Sequence, residues 1–203
     1  MNQLILKDVC KKYPNQPNYA LDHINLTVGK GEFVAVMGSS GSGKTTLLNV
    51  TSIIDKIDSG SIYCADREIS AFSDNEATNF RKNDIGFVFQ DYMLLDSLTI
   101  RENISVALSL KNVDSSKIDD LINSYAKRFN LYEQLKKYPY QLSGGQRQRV
   151  SIIRAIIKEP EIIFADEPTG ALDLKSSEGT MRILSEINKT EKVTILMVTH
   201  DVL

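Results

Sequence analysis

The sequence predicts an α/β fold in which a mainly parallel β-sheet carries an antiparallel β portion at the N-terminus and an inserted α-helical lobe. Two continuous apolar runs, EIIFAD and KVTILMVTH, are typical of parallel strands that are covered on both faces. The segment KSSEGTMRILSEINK between them has helical spacing, so together they predict a βαβ unit. From about residue 93 to 158, apolar residues recur at helical spacing with little strand character, which predicts the lobe.

The N-terminal half is expected to contain most of the strands. LILKDVCKKY alternates roughly like a strand, and INLTVGKGEFVAVMG is typical of two strands joined at residues 29–31. GKTTLLNVTSII is predicted to be a helix, and GSIYCAD and DIGFVFQ are predicted to be short strands. Within the lobe, helices are predicted for SLTIRENISVALSL, SSKIDDLINSYAKRFN and SGGQRQRVSIIRAIIKE.

Composition limits the classes of protein to which the chain can belong. Its 203 residues, 42% of them hydrophobic, suffice for one sizeable core or one core with an inserted lobe. The formal net charge of −2 predicts no strongly basic face, so nucleic acid is not an expected partner. The apolar runs are too short to span a bilayer and the N-terminus lacks a signal-peptide pattern, so a membrane role would need a partner. Cys10 and Cys64 lie far apart, which is typical of reduced core thiols in a cytosolic protein.

The stretch GSSGSGKT, residues 38–45, fits the phosphate-binding pattern G-x-x-x-x-G-K-[ST] without a mismatch. Its glycines let backbone N–H groups turn inward around a β-phosphate, while Lys44 reaches the β- and γ-phosphate oxygens and the Thr45 hydroxyl can bind Mg²⁺. The alternative is a glycine-rich turn from strand to helix. The preceding FVAVM strand and the following TTLLNV helix supply the context that phosphate binding requires.

The stretch IIFADEP, residues 162–168, ends a buried strand with two carboxylates. Asp166 at the strand end can hold Mg²⁺ through its water shell, and Glu167 can polarise an attacking water as a general base. The alternative is a solvated acidic turn before Pro168. The phosphate loop in the same chain favours the metal- and water-binding roles over this alternative.

Several further residues are candidates for the same site. LSGGQRQRV, residues 142–150, begins a helix with Ser143 and two glycines, and such a helix start exposes N–H groups that suit an anion. Gln90 ends a predicted strand and could reach a metal or water, or could only cap a turn. His200 also ends a strand and could contact a γ-phosphate, or be structural. Tyr13 could stack on an adenine ring or pack in its loop, and Tyr19 is a rival for the same role.

Together these motifs resemble the ATP-binding subunit of an ABC transporter. The match includes the Walker A loop at 38–45, LSGGQ at 142–146, Walker B at 162–167 and the ALD motif at 171–173. It also includes Gln90 as the Q-loop glutamine and His200 as the switch histidine. LSGGQ is the discriminating motif, because many ATPases have Walker loops without it. The resemblance implies a P-loop NTPase core that binds ATP and Mg²⁺.

The resemblance also assigns roles to individual residues. Catalysis falls to Glu167, His200 and Lys44, and Mg²⁺ would be bound by Thr45, Gln90 and Asp166. The expected nucleotide-binding residues are Tyr13, Gly38, Ser39, Ser40, Gly41, Ser42, Gly43, Lys44, Thr45, Thr46, Gln90, Ser143, Gly144, Gly145, Gln146 and Asp173.

In this family two subunits pack head to tail, and ATP on the Walker A loop of one copy is covered by Ser143, Gly144 and Gly145 of the other. Asp173 is then expected at the dimer seam, while Arg147 and Arg149 are interpreted as solvated helix charges. The chain is expected to be one ABC ATPase domain, 1–203. Its nucleotide-binding core would comprise 1–92 and 158–203, and its helical subdomain, which carries LSGGQ, would comprise 93–157.

Within the family, GFVFQDYMLLDSLTIRENI and DEPTGALD are similar to the group that serves macrolide export, lipoprotein release and antimicrobial-peptide resistance. FQDYMLLDSLT is most similar to the bacitracin-efflux type. The resemblance implies a separate permease, whose coupling helix would contact the segment after Gln90, and a cytoplasmic position on the inner face of the cell membrane.

Other functions remain as alternatives. A lipoprotein-release or cell-division type of ABC ATPase is one. A soluble ABC ATPase is another, but such proteins typically carry a long coiled coil or a tandem second ATPase, which 203 residues do not accommodate. A non-catalytic nucleotide-binding partner would lack Glu167 or Lys44, and both are present.

Relatives usually continue past the switch histidine, whereas this sequence stops three residues after it, at Leu203. The strand before His200 is expected to be stable, because its apolar run is buried in the sheet. The imidazole itself is expected to be less well held, and hydrolysis by this form to be slow although ATP binding is normal.

Overall fold

The computed structural model describes residues 1–110 and 114–200. Residues 111–113, which belong to the predicted helical lobe, and residues 201–203, which follow His200, lie outside the described part. The strands are β1 (Asn2–Lys11), β2 (Leu21–Gly29), β3 (Phe33–Met37), β4 (Ser59–Cys64), β5 (Arg67–Glu68), β6 (Ile85–Val88), β7 (Ile162–Asp166) and β8 (Thr194–Thr199). The α-helices are α1 (Lys44–Thr51), α2 (Asp74–Asn83), α3 (Ile100–Leu110), α4 (Ser115–Arg128), α5 (Gly144–Ile156) and α6 (Leu174–Glu191). Short 3₁₀ helices cover Ile69–Ala71, Tyr132–Gln134 and Pro139–Gln141.

Four strands form a parallel sheet in the order β3-β8-β7-β6. Every residue of β8 is buried, and in β7 only Asp166 at the end is partly exposed, which explains their continuous apolar sequences. Strands β7 and β8 pair directly, with Phe164 opposite Leu196, and α6 connects them. The predicted βαβ unit is therefore present.

The other four strands form an antiparallel sheet in the order β2-β1-β4-β5. Strands β2 and β3, predicted to be joined at residues 29–31, belong to different sheets. Between them the chain turns at Gly31, whose φ is +76° and whose N–H donates to Thr194 Oγ1 at 2.9 Å. The predicted antiparallel portion is thus tied to the parallel sheet at this turn.

The two faces of the parallel sheet bury different neighbours, because successive side chains on a strand point to opposite faces. Ile162 and Phe164 of β7 pack in one cluster with the antiparallel sheet and with α1. Ile163 and Ala165 pack in a second cluster with α3, α4, α5 and α6. The parallel sheet therefore separates the N-terminal β portion from the helices of the lobe. None of the described helices combines the length and the apolar character needed to cross a bilayer.

Helix α2 was not predicted from the sequence, because its segment is polar and only Ala77 and Phe80 are buried. Its start is defined by a capping box, in which Ser73 Oγ accepts from Glu76 N and Glu76 Oε2 accepts from Ser73 N at 2.8 Å. Helix α3 begins three residues later than the start of the predicted segment, at Ile100. There the Thr99 N–H donates to Glu102 Oε2 at 2.7 Å, which is the same type of cap.

We predict that Gly86→Ala destabilises the fold by about 1–3 kcal/mol, because overpacking a core forces backbone shifts. A Cβ at Gly86 in β6 would lie 2.6 Å from the carbonyl oxygen of Ala155 in α5. Urea unfolding followed by circular dichroism would show a lower midpoint. As a control, Gly179→Ala in α6 meets nothing within 4 Å and should raise stability by about 0.5–1 kcal/mol. Equal midpoints for both variants would contradict the close approach of β6 to α5.

Candidate active site

The predicted motifs meet at one edge of the parallel sheet. The loop at 38–43 follows β3, Gln90 follows β6, Asp166 ends β7 and His200 follows β8. Since the four strands are parallel, their carboxyl ends lie at the same edge, where ligands bind in open α/β sheets.

The glycine-rich loop adopts a backbone that requires glycine at its last position. Gly43 has a φ of +91°, and a Cβ there would lie 2.3 Å from the carbonyl oxygen of Ala20. Lys44 is buried, and its Nζ donates to the carbonyl oxygens of Gly38 at 2.8 Å and Ser39 at 2.9 Å. The ammonium group is therefore held against the loop that starts α1, as a phosphate-binding lysine requires.

Thr45 and Asp166 lie next to each other at the start of α1 and the end of β7. The Thr45 hydroxyl donates to Asp166 Oδ1 at 3.4 Å. Burial raises the pKa of the Asp166 carboxyl, and the charge of Glu167 adds to this, while the Thr45 hydrogen bond and the charge of Lys44 oppose it. A hydroxyl and a carboxylate are the hard oxygen donors that Mg²⁺ prefers, so this pair fits that metal.

Glu167 and His200 form a pair, with 2.9 Å between Glu167 Oε2 and His200 Nδ1. The Glu167 N–H donates to Val198 O at 3.0 Å, and its φ is +42°, an unusual backbone conformation of the kind found at functional sites. The imidazole, half of which is exposed, therefore contacts a carboxylate whose own backbone is hydrogen-bonded to β8, and the expectation that the ring is less well held stays a prediction.

Gln90 lies near this pair. A Cβ built on Gly170 would lie 3.2 Å from Gln90 Nε2 and 3.3 Å from Glu167 Oε2. The amide and the carboxylate therefore approach the same small region beside Gly170. The structure brings Gln90 to the site where a metal- or water-binding amide was predicted.

An open cavity of about 480 Å³ lies above the phosphate loop and reaches Glu167. Both predicted candidates for ring stacking, Tyr13 and Tyr19, line this cavity. Tyr13 is anchored by a hydrogen bond to the carboxyl group of Asp55. Burial favours the protonated form of Asp55, but this hydrogen bond and one from Lys11 outweigh burial and hold the pKa of the carboxyl low. Tyr13 is thus the better anchored of the two rings, whereas Tyr19 is 51% exposed.

The LSGGQ motif forms the start of α5, where Ser143 is exposed, Gly144 and Gln146 are half-buried, and Leu142 and Gly145 are buried. Ser143 Oγ accepts from the Gln146 N–H at 3.3 Å, and Gln146 Oε1 accepts from the Ser143 N–H at 3.0 Å, which completes a capping box. Gly145 packs on α6, since a Cβ there would lie 2.8 Å from Ser176 Oγ. Within the described part of the chain, residues 142–146 do not line the cavity above the phosphate loop.

Asp173 and Arg147, both predicted to lie on the surface, differ in their exposure. Asp173 is exposed and begins α6, and hydrogen bonds from the Ser176 hydroxyl and N–H hold its pKa low. Arg147 is not a simple solvated charge, and that interpretation is wrong. Its guanidinium lies 5.1 Å from the centre of the Tyr92 ring, and its Nε is buried without a hydrogen-bond partner among the described residues. Arg149 is half-buried.

Sequence reasoning missed two residues of α5 that fix the surroundings of the site. Gln148 is fully buried, and its Nε2 donates to Pro168 O at 2.8 Å, next to Glu167. Arg154 donates to the backbone carbonyls of Tyr92 at 2.9 Å and Met93 at 2.6 Å. A polar residue within the apolar run RVSIIRAII was the available signal for Arg154.

Comparisons with known proteins agree with the geometry. A family described as ABC transporter matches residues 21–170. The bacitracin export ATP-binding protein BceA of Halalkalibacterium halodurans is 50% identical over 181 residues, 89% of this chain and 72% of that protein. The ABC transporter ATP-binding protein YxdL of Bacillus subtilis is 45% identical over 201 residues, 98% of this chain and 78% of that protein.

A solved structure with the same architecture is a dimeric, post-hydrolysis state of the ATP-binding cassette MJ0796, from Methanocaldococcus jannaschii, with ADP and Pi bound. It superposes with a TM-score of 0.88 at 39% sequence identity and covers 98% of this chain and 88% of that one. The fold is therefore that of a P-loop NTPase cassette. With the family match over residues 21–170 and the close relatives beside it, the chain belongs to the ABC transporter family and is an ATP-binding ATPase of that family.

Proposed function

We propose that the chain dimerises head to tail around two ATP molecules and drives a separate permease, in the export of antimicrobial peptides or in resistance to them. The observation that supports this proposal is that the phosphate loop and the start of the LSGGQ helix lie apart on the described chain. The cavity is lined by the phosphate loop, two tyrosines and Glu167, whereas the anion-binding start of α5 is exposed elsewhere on the described chain.

The phosphate loop and the tyrosines supply the first half of the site. Backbone N–H groups of 38–45 and the Lys44 ammonium bind the β- and γ-phosphates, while Tyr13 or Tyr19 stacks on the base. Thr45, Asp166 and Gln90 would hold Mg²⁺, which when bound neutralises charge on the phosphates.

Glu167 is the proposed general base for the attacking water. Its carboxylate lines the cavity and is only 19% exposed, so a proton acceptor lies where the γ-phosphate would end. His200 is proposed to fix this carboxylate through the 2.9 Å contact and to contact the γ-phosphate with its ring. Glu167 directly follows β7 and His200 directly follows β8, and these two strands pair, so the sheet sets the spacing of the two residues.

The second half of the site comes from the start of α5 in a second copy. A helix N-terminus carries unpaired N–H groups and a positive dipole end, so Ser143 and the glycines after it are suited to a phosphate. Asp173 is exposed at the start of α6, where it is available to the seam between copies. The proposed parts of the domain (1–203) are a nucleotide-binding core, 1–92 and 158–203, and a helical subdomain, 93–157.

An apolar surface near Gln90 is the proposed contact for the permease. Met93 is 55% and Leu95 47% exposed, three and five residues after Gln90. Binding there would place the chain at the inner face of the membrane. Antimicrobial peptides are the proposed cargo because a bacitracin export ATP-binding protein is 50% identical to this chain.

We predict that Glu167→Gln lowers kcat about 10²–10⁴-fold while ATP affinity is retained, because an amide cannot accept the proton of water. Phosphate release and binding of a fluorescent ATP analogue measure the two quantities. Glu178→Gln removes an exposed carboxylate of α6 and should hydrolyse ATP normally. If Glu167→Gln turned over at the wild-type rate, Glu167 would not be the base.

We predict that Glu167→Gln is dimeric with Mg-ATP, and that adding Ser143→Arg makes it monomeric without weakening ATP binding. The arginine side chain would occupy the position of the phosphate at the start of α5. Multi-angle light scattering measures the mass, and Ser116→Arg on the exposed face of α4 is the matched control. A dimer that persists in the Ser143→Arg variant would rule out closure by this helix.

We predict that the full-length protein, expressed with its own permease in bacteria that lack their bacitracin exporter, raises the bacitracin concentration that inhibits growth. Glu167→Gln should abolish this protection, because transport would require hydrolysis. Equal sensitivity with the wild type and with Glu167→Gln, for a purified protein that still hydrolyses ATP, would reject the peptide assignment and leave the ATPase intact.

A further inference from the structure

The turn after Gln90 is strained. Tyr92 and Met93 are consecutive and both have positive φ, +60° and +47°. Side chains other than glycine rarely adopt this conformation, and it persists only where the surroundings hold it. The Tyr92 N–H donates to Phe89 O at 3.2 Å and the Met93 N–H to Asp91 O at 2.6 Å, so the turn is held from within, and a contact from outside adds a further restraint.

Arg154 of α5 supplies that restraint. Its Nη2 donates to Tyr92 O at 2.9 Å and its Nη1 to Met93 O at 2.6 Å, so one guanidinium spans both strained residues. Burial lowers the pKa of Arg154, yet a guanidinium stays protonated in proteins. Among the described residues it forms no ion pair, and these two carbonyls are the acceptors of its charge. The planar guanidinium reaches the two carbonyls with separate N–H groups in a fixed geometry, whereas a lysine would present one flexible ammonium group.

The side chain of Tyr92 extends this contact along the helix towards LSGGQ. The Arg147 guanidinium lies over its ring, and a Cβ on Gly144 would lie 3.1 Å from its hydroxyl. Gly144, Arg147 and Arg154 are spaced by three and seven residues, which places them on one face of α5. Tyr92 thus lies along that face, from Arg154 to the exposed start of the helix.

We propose that Arg154 is a positioning residue, which fixes the 92–93 turn to α5 so that Gln90 and the LSGGQ end of the helix move as one unit. Only Asp91 separates Gln90 from the fixed turn, so the helix sets where the amide lies beside Glu167 and Gly170. When ATP bound by a second copy contacts the start of α5, the resulting movement of α5 then reaches Gln90 of the chain to which that helix belongs. This inference rests on the proposed function, in which LSGGQ closes the site in trans.

The consequence is a separation of binding from turnover. The phosphate loop lies between β3 and α1 and is not contacted by Arg154, so nucleotide affinity should not depend on this residue. Gln148 separately ties α5 to Pro168, so the region of Glu167 keeps its own restraint. Loss of Arg154 should therefore release Gln90 selectively.

The test compares Arg154→Met and Arg154→Lys with Arg149→Met, which removes the same charge from the same helix. We expect Arg154→Met to keep its ATP affinity and KM while kcat falls about 10-fold or more, since small misplacement of reacting groups is costly. Arg154→Lys should be intermediate, and the Mg²⁺ concentration for half-maximal rate should rise in both. Hydrogen exchange of the peptide 90–95 should become faster in both variants and stay unchanged in Arg149→Met.

A second measurement is made in the Glu167→Gln background, which holds the closed state. Mg-ATP should slow exchange both at 142–146 and at 90–95. With Arg154→Met added, exchange should slow at 142–146 only, a result that a merely structural role would not give.

The outcomes distinguish the proposed dimer from the proposed positioning role of Arg154. If Mg-ATP fails to protect 142–146 in Glu167→Gln, the proposed dimer is wrong. If both segments are protected equally with and without Arg154→Met, or if a folded Arg154→Met variant retains wild-type kcat, the positioning role is wrong. Should Arg154→Met fail to fold, Arg154→Lys decides: exchange and kcat equal to those of Arg149→Met would overturn the proposal.

Discussion

The parallel pairing of β3, β8, β7 and β6 is the constraint on which the site depends. Parallel strands in register deliver their carboxyl ends to one edge, so residues distant in sequence arrive together. Asp166 pairs with Val198 at the end of the ladder, and His200 follows two residues later. The contact between Glu167 and His200 is thus a result of strand register, and it needs no long-range loop to be ordered.

Helix α5 links this edge to the rest of the molecule. Its residues pack on the parallel sheet, on α3 and on α6, and its start is the exposed LSGGQ motif. Through Gln148 it contacts the segment after β7, and through Arg154 the segment after β6. One helix therefore carries the end that is proposed to bind an anion and touches two of the chain segments that form the candidate site.

Strong local patterns made much of the fold predictable. The apolar runs of β7 and β8 identify buried parallel strands without reference to distant contacts, and both strands were predicted correctly. The glycines of 38–45 lie between β3 and α1, as their pattern predicted, and their role in phosphate binding stays a prediction. Helix α2 was missed because its polar sequence is fixed by a cap. The environment of Arg147 was misjudged and the contacts of Arg154 were missed, because they depend on where Tyr92 folds back. Such contacts between distant segments have no periodicity to reveal them.

The capping box at Ser143 has a consequence for the polarity of that surface. Because the hydroxyl oxygen accepts from the Gln146 N–H, the hydroxyl hydrogen remains able to point outward. Because the Gln146 carbonyl oxygen accepts from the Ser143 N–H, the side-chain amide NH₂ is left facing away from the cap. The tip of the helix can thus offer a hydroxyl hydrogen and a side-chain NH₂ group as donors, in addition to the backbone N–H groups of its first turn.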